Sequence, residues 1–159
     1  MSVIITSFRE SDNILKSFPD VKCYSVSRRQ PKGYFYDELP FLAPYDDKGK
    51  ALSLSGYPDN KLARYQLAYY DNIHKHEEQF EEWLQSLDND VDIALCCWCP
   101  HSTSTRKQLK KFLTFACHTG IIGQIINHRR PDIQLWLDHD HAEHLVKLWK
   151  PENYRIIET

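Results

Sequence analysis

Apolar residues recur along this chain with two periods, and the period separates strands from helices. Val3-Ile4-Ile5-Thr6 is a short apolar run, the pattern of a buried strand. Ser11-Asp12 then offers a helix cap, with Ile14, Leu15 and Phe18 at helical spacing until Pro19 stops the helix. Val21–Ser27 alternates, Val21, Cys23 and Ser25 on one face and Tyr24 and Val26 on the other, and predicts a second strand. From Arg28 to Asn60 the pattern breaks down. Four prolines (31, 40, 44, 58) and three glycines (33, 49, 56) in that stretch argue against a continuous element. A loop of this length in a compact domain is usually functional, a lid or a binding loop.

Periodicity returns at Asn60–Leu87. Leu62, Tyr65, Tyr69, Ile73, Phe80, Leu84 and Leu87 share one helical face, and Glu77, Glu78, Glu81 and Glu82 mostly face solvent. Asp88-Asn89-Asp90 is a turn, and Val91–Cys96 is a near-continuous apolar run, as expected of a central strand buried on both faces. Ser102–Ala116 reads as a helix with a basic face (Arg106, Lys107, Lys110, Lys111). Gly120–Ile126 reads as a second short helix, with His128-Arg129-Arg130 complementing its dipole. Ile133–Leu137 is a further strand, and Asp140 caps a last helix over Ala142–Trp149. Strands alternating with helices predict one three-layer α/β domain over residues 1–159, its mainly parallel sheet of about four or five strands covered on both faces.

Composition changes this picture little. Hydrophobic residues make up 42% and the net charge is −2, so the chain is globular and bulk charge does not support a nucleic-acid partner. No apolar run approaches the roughly 20 residues a membrane span needs. The first residues lack the basic and apolar regions of a signal peptide. The adjacent Cys96 and Cys97 suit a reducing compartment better than a disulfide scaffold, so the expected location is cytoplasmic.

The candidate chemistry lies in Cys96-Cys97-Trp98-Cys99-Pro100 and Cys117-His118-Thr119-Gly120, which hold four of the five cysteines. In open α/β sheets ligands bind beyond the carboxyl ends of the strands, where the first motif falls. The second precedes a helix, whose N-terminal dipole favours an anion and a thiolate. Two uses follow. Cys117 and His118 are catalytic candidates, as thiolate nucleophile and general acid/base, on a small anionic ligand bound by Arg28 and lined by Tyr65 and Trp98. Alternatively Cys97, Cys99, Cys117 and His118 form a tetrahedral zinc site, although their spacing is not a common one. Cys96 reads as a small buried hydrophobe. Asp138-His139-Asp140-His141 with His144 is a second metal candidate, or else a polar helix start. Tyr34, Phe35, Tyr36, Phe41 and Tyr45 in the long loop either stack on a base or sugar or pin the loop to the core.

The order of these motifs resembles the domain-of-unknown-function 488 family. Ile5-Thr6-Ser7-Phe8 is similar to its first strand, Ser25-Val26-Ser27-Arg28 to its second strand and following Arg, and Leu42-Ala43-Pro44 to its loop motif. Tyr65 and Tyr69 resemble a Tyr pair on its long helix, and Leu95–Pro100 with Cys117-His118 resembles its strand and Cys-His motif. Two departures stand out: the segment Ser102–Ala116 intervenes, and Thr119 stands where the family often has Arg. The resemblance implies a compact α/β domain with a pocket, and no established activity.

Together these readings lead to an enzyme or binding domain for a nucleotide-like or other phosphorylated ligand. The alternative is a zinc-stabilised binding module for nucleic acid, using the basic face of Ser102–Ala116.

Overall fold

The computed structural model describes residues 1–53, 62–87, 90–98, 118–138 and 154–157. The expected helices Ser102–Ala116 and Ala142–Trp149 lie outside the described residues. So do Cys99, Cys117 and His139–His144.

The first strand, β1 (Ser2–Ser7), runs straight into α1 (Phe8–Ser17). The cap is Ser7, whose Oγ accepts a hydrogen bond from the Glu10 amide at 3.3 Å. Ser7-x-x-Glu10 has the capping-box spacing, so the helix starts three residues before the Ser11-Asp12 cap read from the sequence. Ser11 lies inside the helix instead, where its hydroxyl bonds the Phe8 carbonyl at 2.7 Å. Strand β2 (Lys22–Ser25) and the two-residue β3 (Asp37–Glu38) follow, then a 3-10 turn at Pro40–Leu42. Next come α2 (Leu62–Lys75) and α3 (Glu77–Ser86), then β4 (Ile93–Cys97), α4 (His118–Arg129), β5 (Gln134–Leu137) and β6 (Tyr154–Ile156).

The long helix predicted over Asn60–Leu87 divides at His76. Its amide reaches two carbonyls, Asn72 at 3.2 Å and Ile73 at 3.1 Å, the sharing typical of a helix end. The cause is tertiary. α2 is tied to the 3-10 turn by Tyr69 Oη donating to the Leu42 carbonyl (2.7 Å) and Asn72 Nδ2 to that of Ala43 (3.3 Å). On α3, Trp83 packs edge-on against Phe41. The expected apolar face holds on both helices: Tyr65, Tyr69, Ile73, Phe80 and Leu84 are all buried. Of the glutamates, Glu78 and Glu82 face solvent as expected, while Glu77 and Glu81 pair with Arg129 and tie α3 to α4.

The sheet is all parallel, in the order β3-β2-β4-β1-β5-β6. Six strands exceed the expected four or five because β3 and β6 are short edges of two and three residues, too brief to show a period. β4 is buried at every position, as its unbroken apolar run requires of a central parallel strand. Helices cover both faces. Val3, Ile5, Leu95, Leu135 and Leu137 form one core with α2, α3 and α4; Ile4, Ala94, Cys96 and Cys23 form the other with α1. Gly123 lets α4 approach β1, since a Cβ there would lie 3.2 Å from Ile5 Cγ1. No described helix is long and apolar enough to cross a membrane.

β1 and β4 are neighbours, yet the helix after β1 lies on one face and the next described helix after β4 on the other. That divergence makes their carboxyl ends a topological switch point, the crevice where such sheets take ligands.

Candidate ligand-binding site

Polarity inside the molecule is concentrated at that crevice. Nine polar or charged residues are buried among those described, and six of them stand there: Thr6, Ser7, Ser25, His118, Thr119 and Asp138. The parallel register explains how they meet. Ser25, Cys96 and Thr6 are side by side on β2, β4 and β1, and Asp138 follows the last residue of β5. Thr6 Oγ1 donates to Asp138 Oδ2 at 2.9 Å. This polar row faces α1.

On the opposite face, α4 begins against the ends of β2 and β4. His118 is 6% exposed, and its Nε2 lies 2.8 Å from the Val26 carbonyl. A carbonyl only accepts, so Nε2 carries the hydrogen. The ring also packs edge-on against Tyr69 at 5.7 Å, and the buried Tyr65 lies one turn earlier on α2. Thr119 Oγ1 lies 3.5 Å from Cys97 Sγ. His118 lies within α4 and not before a shorter helix, since α4 spans His118–Arg129. Among the described residues the first turn of α4 carries no acidic residue that would offset a helix dipole.

Cys96 and Cys97 point to opposite faces and differ in state. Cys97 is disulfide-bonded, whereas Cys23 and Cys96 are free. Of the proposed zinc set Cys97, Cys99, Cys117 and His118, only Cys97 and His118 lie among the described residues. Among the described residues no group of three or more His, Cys, Asp or Glu side chains could hold a metal ion. Adjacent residues on a strand lie in different surroundings, so one can be bonded while its neighbour stays free.

Cys96 does more than fill space. It donates to Cys23, which lowers the Cys23 pKa, while the same bond and burial hold its own well above the ordinary thiol range. Tyr36 closes this network: its hydroxyl bonds Ser11 Oγ at 2.8 Å, and burial, its largest influence, pushes its pKa up to about 12. A phenol whose folded value lies above the unfolded value of 10.0 binds its proton more tightly when folded. Its stabilising contribution is complete below pH 10 and lost as pH rises through about 12. Tyr36→Phe is thus expected to cost about 1 kcal/mol at neutral pH through the lost hydrogen bond, and to show a shallower alkaline decline. Urea unfolding at a series of pH values checks both; an unchanged alkaline slope would remove Tyr36 from the account.

Arg28 and Trp98 stand at the rim. Arg28 is exposed two residues beyond Val26, and its guanidinium has no carboxylate partner among the described residues. Trp98 follows β4 directly and is 60% exposed. The structure thus brings His118, Arg28 and Trp98 to one edge, with Tyr65 in the core beneath. Sequence reading passed over Thr6, Ser7 and Ser25. Their signal was present: hydroxyl residues ending otherwise apolar strands. A comparison of the chain with protein-family models, curated proteins and solved structures finds no match.

Proposed function

We propose that the crevice at the carboxyl ends of β2, β4 and β1 binds a small phosphorylated ligand, its anion at the N-terminus of α4 and beside Arg28. The observation that carries this reading is the collection of six buried polar residues at one edge of an otherwise apolar sheet. Burying hydroxyls and a carboxylate is costly, and an ordinary core has no need of them there. The His118–Val26 contact supports the anion's position, because it sets the start of α4 next to the strand that Arg28 follows. Helix amides, a hydroxyl and a guanidinium are the groups that recognise phosphate.

The catalytic part of the proposal rests on Cys117 as thiolate nucleophile and His118 as general acid/base. We extend the proposal to kinship with the domain-of-unknown-function 488 family, since Ile5–Phe8, Ser25–Arg28 and Leu95–Cys97 all fall at this edge. The proposed setting is the cytoplasm, where the Cys97 disulfide would be a reversible element and not a scaffold.

Titrating the protein with inorganic pyrophosphate, followed by amide NMR, tests the reading. Shifts are expected at residues 26–29 and 118–121, and Arg28→Ala should weaken binding about tenfold. Absence of shifts, or shifts scattered over surface lysines, would overturn it.

A further inference from the structure

We infer that the ligand is a mononucleotide, whose base stacks on the indole of Trp98 while its phosphate occupies the α4 end of the crevice. This rests on the reading above and names the ligand class. Trp98 is 60% exposed but not loose. Its Nε1 donates to the Arg29 carbonyl at 2.6 Å, and its ring meets Phe8 edge-on at 6.2 Å. The same carbonyl accepts from Ser27 Oγ at 2.7 Å, so the indole is fastened to an anchored point. An exposed aromatic ring held in place by its own hydrogen bond is a ready stacking surface, because little entropy is lost when a base settles on it.

The loop that holds the ring has the matching charge. Ser27–Tyr36 contains Arg28, Arg29 and Lys32 and no acidic residue, in a chain whose net charge is −2. The next acids are engaged: Asp37 pairs with Lys22 at 3.1 Å, and Glu38 accepts from Gln30 Nε2 at 3.1 Å. Gln30 also bonds both the amide and the carbonyl of Tyr36 (2.8 and 2.7 Å), which closes the loop on itself. The indole and α4 are thus both fastened to the segment that follows β2, through the Arg29 carbonyl on one face and the Val26 carbonyl on the other, and that segment carries Arg28 and Arg29. A base linked to a phosphate matches that arrangement; a phosphorylated sugar alone leaves the indole uncovered.

Binding of adenosine 5′-monophosphate and ribose 5-phosphate to the wild-type chain, Trp98→Ala and Trp98→Phe decides the matter. In the wild type the nucleotide should bind roughly tenfold tighter than the sugar phosphate, the effect of one stacked base. Trp98→Ala should erase that advantage and leave ribose 5-phosphate unchanged; Trp98→Phe should keep most of it. Equal binding of the two probes by the wild type would overturn the inference while leaving the phosphate site intact. So would an equal loss of both in Trp98→Ala, which would mean that the indole only holds the loop. Failure of both probes to bind the wild type would sink the phosphate site as well.

Discussion

Leu95→Ala is expected to lower the unfolding free energy by about 2–5 kcal/mol. Leu95 is fully buried in β4, paired with Ile5 on one side and Tyr24 on the other, with its side chain in the core shared with α2, α3 and α4. Truncation removes its burial and leaves a cavity that two flanking strands and the helices above cannot easily fill. Domains of this size are stable by about 5–15 kcal/mol, so the loss is a large part of the total. Urea unfolding measures it directly. A change below about 1 kcal/mol would mean that the site collapses freely, contrary to the close packing expected of such a core.

His118→Ala should be nearly as severe, about 2–4 kcal/mol, for a different reason. The variant removes the donor to the Val26 carbonyl and the ring packed against Tyr69. Its further consequence is functional. With the start of α4 no longer fastened to the end of β2, pyrophosphate binding should weaken by more than the tenfold expected of Arg28→Ala. His118→Gln, which can still donate to the carbonyl, should recover part of both losses. Full stability together with full binding in His118→Ala would show that the imidazole fastens nothing.

Several elements were legible without coordinates. Val3–Thr6 and Val91–Cys96 predicted β1 and β4 to within a residue or two, because strands buried on both faces need continuous apolar runs. Tyr65, Tyr69, Ile73, Phe80 and Leu84 were placed correctly inside, since a helix face needs only its period. Boundaries were harder. The Ser7–Glu10 capping box lost to Ser11-Asp12 because Ser7 also continues the β1 run, and a strand that enters a helix without a loop hides its cap. The break at His76 has no signal at all in the apolar period. On its N-terminal side Tyr69 and Asn72 are anchored to a turn some thirty residues away in the chain.

The candidate site divides in the same way. Local pattern singled out Cys97, Trp98, His118 and Arg28, since unusual residues at strand and helix ends stand out one by one. Thr6 and Ser25 are ordinary residues, and Asp138 stood out only as part of a metal candidate, not as a neighbour of either. Four strands had to be set in register before they became a polar row. The state of the thiols was likewise beyond local reading: facing direction puts Cys96 beside Cys23 and Cys97 beside Thr119.

What the amino-acid order settled unaided was the α/β class, the central strand and the buried helix faces, all consequences of periods only a few residues long. The strand order, the helix break and the gathering of polar residues at the β2–β4–β1 edge were decided by tertiary structure. Each depends on contacts between segments far apart in the chain, and no local period encodes them.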